Sequence, residues 1–143
     1  MKSTLCVVCL VLLTIGAAGA RPQSPQAEPY QVVFDLTSRD PANQQAVLRW
    51  IKEISAANPR AEMEVVMYGQ GLDLVVSGRT TPESDVKEAL NTARVSFKVC
   101  AIALKNQKID ASQLLPKVEV VPDGIGEIVA KQRAGWGYIK VAR

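Results

Sequence analysis

From Tyr30 onward the chain alternates short β-branched and aromatic runs with stretches of helical periodicity. Five runs read as strands: "YQVVFDL", "MEVVMY" (Met63 to Tyr68), "SFKV", "VEVV" (Val118 to Val121) and "GYIKV". Strands separated by helices do not pair as hairpins, so the alternation predicts an α/β domain with a mostly parallel sheet and helices on both faces. Right-handed crossovers make a flavodoxin-like sandwich the leading topology. Sites in such sheets form beyond the carboxyl ends of the strands. This directs attention to Thr37 to Asp40, Gly69 to Gly71, Cys100, and Pro122 to Gly126.

The helical stretches carry their own punctuation. Asp40 is placed to cap a first helix with Pro41 in its first turn, and Val47, Trp50, Ile51 and Ile54 fall on one apolar stripe. Thr81 and Pro82 suit the start of a second helix, with Val86, Ala89, Leu90 and Ala93 as its stripe. "LDLVVSG" reads as a short helix rather than a strand, "AIALKNQ" as a short helix, and "DASQLL" as one further turn. "GIGEIVAKQRAG" puts Ile125, Ile128 and Val129 on one face, with Lys131 and Arg133 solvated. Trp50 belongs to the core, whereas Trp136 and Tyr138 suit either core or subunit contact.

The N-terminal segment has a different character. Lys2 precedes an apolar run from Leu5 to Ile15, followed by Ala18-Gly19-Ala20, the pattern of a secretory signal peptide over residues 1–20. The run is shorter than the roughly 20 residues of a membrane span, so no membrane association is expected after cleavage. "RPQSPQAEP", residues 21–29, reads as a disordered linker, and residues 30–143 as one domain. The expected location is periplasmic or secreted. The formal net charge of the full chain is +3, and losing Lys2 lowers it by one. Basic residues are scattered rather than bunched, which gives no footprint for nucleic acid. Cys6 and Cys9 leave with the signal, so Cys100 is the one cysteine expected in the mature chain and has no internal disulfide partner.

The chain contains no histidine, which removes Ser/His and Cys/His catalysis and the usual zinc ligand sets. No carboxylate pair can be assigned to a shared site from spacing, and "GQG" and "GIG" extend to no phosphate-binding motif. No metal or cofactor is therefore expected. Cys100 stands where the third strand ends and a helix begins, where a helix dipole favours the thiolate. The dipole is worth about 0.3 to 1 kcal/mol, which lowers a thiol pKa by less than roughly one unit. Stronger activation needs a cation, and Lys98, two residues earlier on the same strand face, is the nearest candidate. The competing reading is a buried cysteine acting as a small hydrophobe.

The pattern "MEVVMYGQGLDLVV…VSFKVCAIAL…LLPKVEVVPDGIGEIVAKQRAGWGYIKV" resembles the DsrE/DsrF-like family, or YchN-like fold, from Tyr30 onward. Phe97 to Cys100, the pair Gly69 and Gly71, and the ending with Gln132, Gly135, Trp136 and Tyr138 carry the resemblance. It implies a three-layer αβα domain that assembles into dimers, trimers or hexamers, and a family cysteine that in some members carries persulfide sulfur between partner proteins. Cys100 matches that cysteine. Tyr68 stands where members often have histidine, and Cys100-Ala101-Ile102-Ala103-Leu104 stands where many show Cys-x-Asn-Thr-Leu, so the Asn and Thr are lost.

Two functions follow as expectations. One is an exported sulfur carrier in which Cys100 accepts and donates sulfane sulfur to donor or acceptor proteins, with Gly69, Gly71, Asp123 and Gly124 shaping the pocket mouth. The other is a non-catalytic ligand-binding or assembly module with Cys100 buried. A thiol redox sensor forming an intermolecular disulfide is a third.

Overall fold

The computed structural model describes residues 30–79 and 83–142. Its elements are β1 (Gln31–Leu36), α1 (Pro41–Ala57), β2 (Glu62–Met67), α2 (Glu83–Leu90), β3 (Val95–Cys100), α3 (Ala101–Gln107), β4 (Glu119–Val121), α4 (Gly124–Arg133) and β5 (Gly137–Val141). Two short 3-10 turns, Gly69–Leu74 and Ala111–Gln113, follow β2 and α3. The expected signal peptide over residues 1–20, the expected linker over 21–29 and the expected Thr81–Pro82 helix start lie outside the described residues.

Every strand pair is parallel, and the sheet order is β4-β3-β2-β1-β5. The domain is thus the expected α/β sandwich on a five-stranded parallel sheet. Its order is not the 2-1-3-4-5 of flavodoxin. Three crossovers step the chain outward from β1 to β4, and the last returns it past β1 to β5. With one hand for all crossovers, α1, α2 and α3 fall on one face and α4 on the other.

Local chemistry explains the helix starts. Asp40 caps α1, its Oδ1 accepting from the Ala42 amide at 2.9 Å, and Pro41 occupies the first turn, where a missing N–H costs nothing. Asp123 does the same for α4, accepting from the Ile125 amide at 3.0 Å. "LDLVVSG" divides between the end of the first 3-10 turn and a single antiparallel bridge from Val76 to Leu114.

The two faces of the sheet are unlike. On the α1–α2–α3 face, Phe34, Leu36, Met63, Val65, Met67, Phe97 and Val99 meet Val47, Ile51, Val86 and Leu104 in one apolar core. Trp50 stacks on Phe34 with ring centroids 6.0 Å apart, so it packs against this core as expected. On the α4 face the fully apolar cluster is only Val33, Val66 and Ile128, flanked by Tyr68 and Trp136.

Two stripes read from periodicity need correction here. Of Ile125, Ile128 and Val129, only Ile128 is buried; Ile125 is 58% and Val129 39% exposed. Among the described residues only α4 lies on this face, so just the side bearing Gly124 and Ile128, four residues apart, meets the sheet. Ala93 lies beyond the end of α2, which stops at Leu90.

Candidate functional site

Cys100 is the last residue of β3, opposite Val121 of β4, and Ala101 opens α3. Alternation along β3 turns Ser96, Lys98 and Cys100 toward the α4 face. Cys100 is only 5% exposed, yet it lines an open cleft of about 490 Å³ beyond the strand ends. Tyr68, Gly69 and Arg39 form one side, Asn106 and Gln107 of α3 another, and Asp123 with Ile125 a third.

The glycines divide by role. Gly69 adopts φ +56°, a left-handed conformation that a side chain disfavours, and its carbonyl accepts a hydrogen bond from Gln107 Nε2. Gly124 sits directly against the thiol: a Cβ there would lie 3.0 Å from Cys100 Cβ and 3.5 Å from Tyr68 Cδ1. Gly71 is not part of the cleft lining. A Cβ on it would come within 2.1 Å of the Leu36 carbonyl oxygen, so its smallness lets the 3-10 turn ride over the end of β1.

Lys98 also departs from its expected place. It shares the strand face of Cys100, but its ammonium lies 3.3 Å from Glu64 Oε2 and 3.2 Å from Glu127 Oε1, and it is not in the cleft wall. Two strand residues span roughly 6.6 Å, and two carboxylates under α4 hold the ammonium at its own end. Burial pushes the Lys98 ammonium down, but Glu64 and Glu127 outweigh it and hold it above the ordinary 10.5. Lys131 completes this cluster, 2.8 Å from Glu64 Oε2 and 4.2 Å from the centroid of the Trp136 ring. Glu64 is 1% exposed, with Oε2 also accepting from Ser96 Oγ at 3.2 Å and Oε1 lacking a hydrogen-bond partner among the described residues.

A second polar cluster adjoins the thiol, and sequence reading missed it. Asp35, on the interior strand β1 and 4% exposed, accepts from Tyr138 Oη at 2.7 Å, Tyr68 Oη at 3.2 Å and Lys140 Nζ at 3.1 Å. Lys140 also donates to Thr37 Oγ1 at 2.8 Å and lies 5.6 Å from the centroid of the Tyr68 ring. Hydrogen bonding to Asp35, then burial and the Asp35 charge, push the Tyr138 phenol up to about 12. Tyr68 is raised above 10.0 by burial first, then by Asp35, and by the nearby Cys100 charge. The available signal was a carboxylate in the apolar run "VVFDL".

Arg39 at the cleft mouth lies 3.4 Å from Asp73, which also meets Arg79 at 3.2 Å. A separate groove of about 410 Å³ runs between α1 and α2, lined by residues such as Arg49, Lys52 and Glu88. Its lining offers the Ser55 and Thr92 hydroxyls, the Lys52 amine and the Asp85 and Glu88 carboxylates but no thiol, and it lies on the opposite face of the sheet from α4. The cleft at Cys100 is therefore the candidate site.

Comparison with known proteins agrees with this architecture. The chain is similar to a solved structure of a protein of unknown function, MTH1491 from Methanobacterium thermoautotrophicum, at 30% identity and a TM-score of 0.73. That match covers 78% of this chain and 98% of the other. The protein of unknown function BT1422 from Bacteroides thetaiotaomicron shares the fold at 12% identity and a TM-score of 0.65, covering 78% of this chain and 94% of that one. No curated protein matches the sequence. The model of the DsrE/DsrF-like family matches residues 31–141, nearly all of the folded domain, and the chain belongs to that family.

Proposed function

We propose that the protein is an exported sulfur carrier in which Cys100 holds sulfane sulfur as a persulfide. The supporting observation is the position of Cys100: its side chain lines an open cleft at the carboxyl end of β3, within a family implicated in sulfur relay. The walls allow a sulfur-bearing group to enter from solvent, and the missing side chain of Gly124 lets α4 pack closely against Cys100. Loading is a thiolate attack on a sulfane sulfur, with the displaced group leaving as an anion. Export, assembly into a homo-oligomer and a protein donor or acceptor belong to the same proposal. Incubation of the mature protein with inorganic polysulfide should add the mass of one or more sulfur atoms, and Cys100→Ser should abolish the gain. An unchanged mass in the wild type would remove the carrier role.

The second reading, a binding module with an inert cysteine, draws on the 5% exposure of Cys100. It predicts slow native alkylation of the thiol and a Cys100→Ser variant that keeps its biological role.

A further inference from the structure

Asp35 offers two carboxylate oxygens to three donors. Oδ1 takes Lys140, while Oδ2 takes both Tyr138 at 2.7 Å and Tyr68 at 3.2 Å. Where two phenols share one oxygen, the shorter contact is the stronger. Tyr68 is thus the donor most easily withdrawn. Its departure leaves Asp35 still charge-paired with Lys140 and hydrogen-bonded to Tyr138. Tyr68 also walls the cleft beside the thiol, since its ring edge and Cys100 Cβ flank the same point above Gly124.

Resting on the carrier reading, we propose that Tyr68 stabilises the sulfur-loaded state: its hydroxyl leaves Asp35 and donates to the terminal sulfur of the Cys100 persulfide. The added sulfur stands about 2.05 Å beyond Sγ, farther into the cleft that Tyr68 lines. Hydrodisulfides are stronger acids than thiols, so the loaded group is the more fully anionic one. A hydrogen bond to an anion exceeds one of the neutral kind, which favours transfer of the phenol only after loading. Asp35 then acts as a positioning residue, parking Tyr68 while the thiol is empty.

The chemistry balances with polysulfide as the donor. The Cys100 thiolate attacks the protonated terminal sulfur of the polysulfide, and a new S–S bond forms. The adjacent S–S bond breaks, and its electron pair leaves on the shortened polysulfide. The proton on the transferred sulfur passes to water, and Tyr68 meets the resulting anion.

The test loads wild type, Tyr68→Phe and Asp35→Asn with inorganic polysulfide, removes the excess, and follows retention of the added sulfur by intact mass. Persulfide alkylation is measured across pH in parallel. Tyr68→Phe should shorten retention roughly tenfold and move the alkylation midpoint to higher pH. Asp35→Asn weakens the hold on Tyr68 and should lengthen retention. If that variant does not fold, Tyr138→Phe replaces it: without the competing phenol, Asp35 grips Tyr68 more firmly, and retention should shorten by less than in Tyr68→Phe. Wild-type retention in Tyr68→Phe, a shift of Tyr68→Phe and Asp35→Asn in the same direction, or unchanged retention in Tyr138→Phe would overturn the assignment while leaving the carrier reading intact. A wild type that takes up no sulfur removes both.

Discussion

The two faces of the sheet solve the same burial problem with different chemistry. Under α1, α2 and α3, apolar side chains meet apolar side chains and no titratable group intervenes among the largest buried residues Phe34, Leu36, Ile51 and Phe97. Under α4, the sheet presents Asp35, Glu64 and Lys98, and a small apolar seat is surrounded by ion pairs. Apolar burial is non-directional and tolerates sliding, whereas buried charge demands placed partners. The first face supplies bulk stability. The second fixes where α4 and β5 sit, and with them the Gly124 contact behind Cys100 and the Tyr68 wall of its cleft.

This contrast is open to direct attack. Phe34→Ala, at a fully buried site stacked on Trp50, should cost about 3 to 5 kcal/mol in urea unfolding, with a loss that does not vary with pH. A pH-dependent loss would mean that the faces are energetically coupled. Glu64→Gln should cost less, about 1 to 3 kcal/mol, because Lys98 and Lys131 keep Glu127 as a partner.

The charged face should also betray itself in the pH profile. Burial pushes the Glu127 carboxyl up, but its contacts with Glu64 and Lys98 and the charges of Lys98 and Lys131 outweigh this and hold it below 4.5. Its contribution is therefore present above that ordinary value and is lost as pH falls through the lowered one. Lys98 acts in the opposite sense: its share is complete below 10.5 and disappears as pH rises through its raised value. Thermal melts across pH should show both limbs, with Glu127→Gln flattening the acid one; an unaltered acid limb would detach α4 from the ion cluster. The smallest effect belongs to Val129→Ser, which should stay within about 0.5 kcal/mol because that side chain faces away from the sheet.

The apolar face was the legible one. Its strands and the α1 stripe carry strong periodicity, so their existence, and the arrival of Cys100 at a strand-to-helix junction, could be read from local sequence. Strand order could not, because nothing near "GYIKV" states which edge it joins. Ile125 and Val129 misled because an apolar residue on a helix implies a covering partner only if the whole side is covered. Lys98 misled for a related reason: alternation gives the face but not the competing carboxylates. Tyr68 went unpartnered because Tyr138 and Lys140, which share its acceptor Asp35, lie 103 and 105 residues from that aspartate.

That separation has a consequence during biosynthesis. Asp35 emerges from the ribosome early, on the strand that will lie next to the β5 edge, but the ammonium that neutralises it is translated more than a hundred codons later. Until β5 arrives, a nascent chain that closed its sheet would leave that anion without its counter-charge beside an open edge, so completion of the fold waits for the final strand.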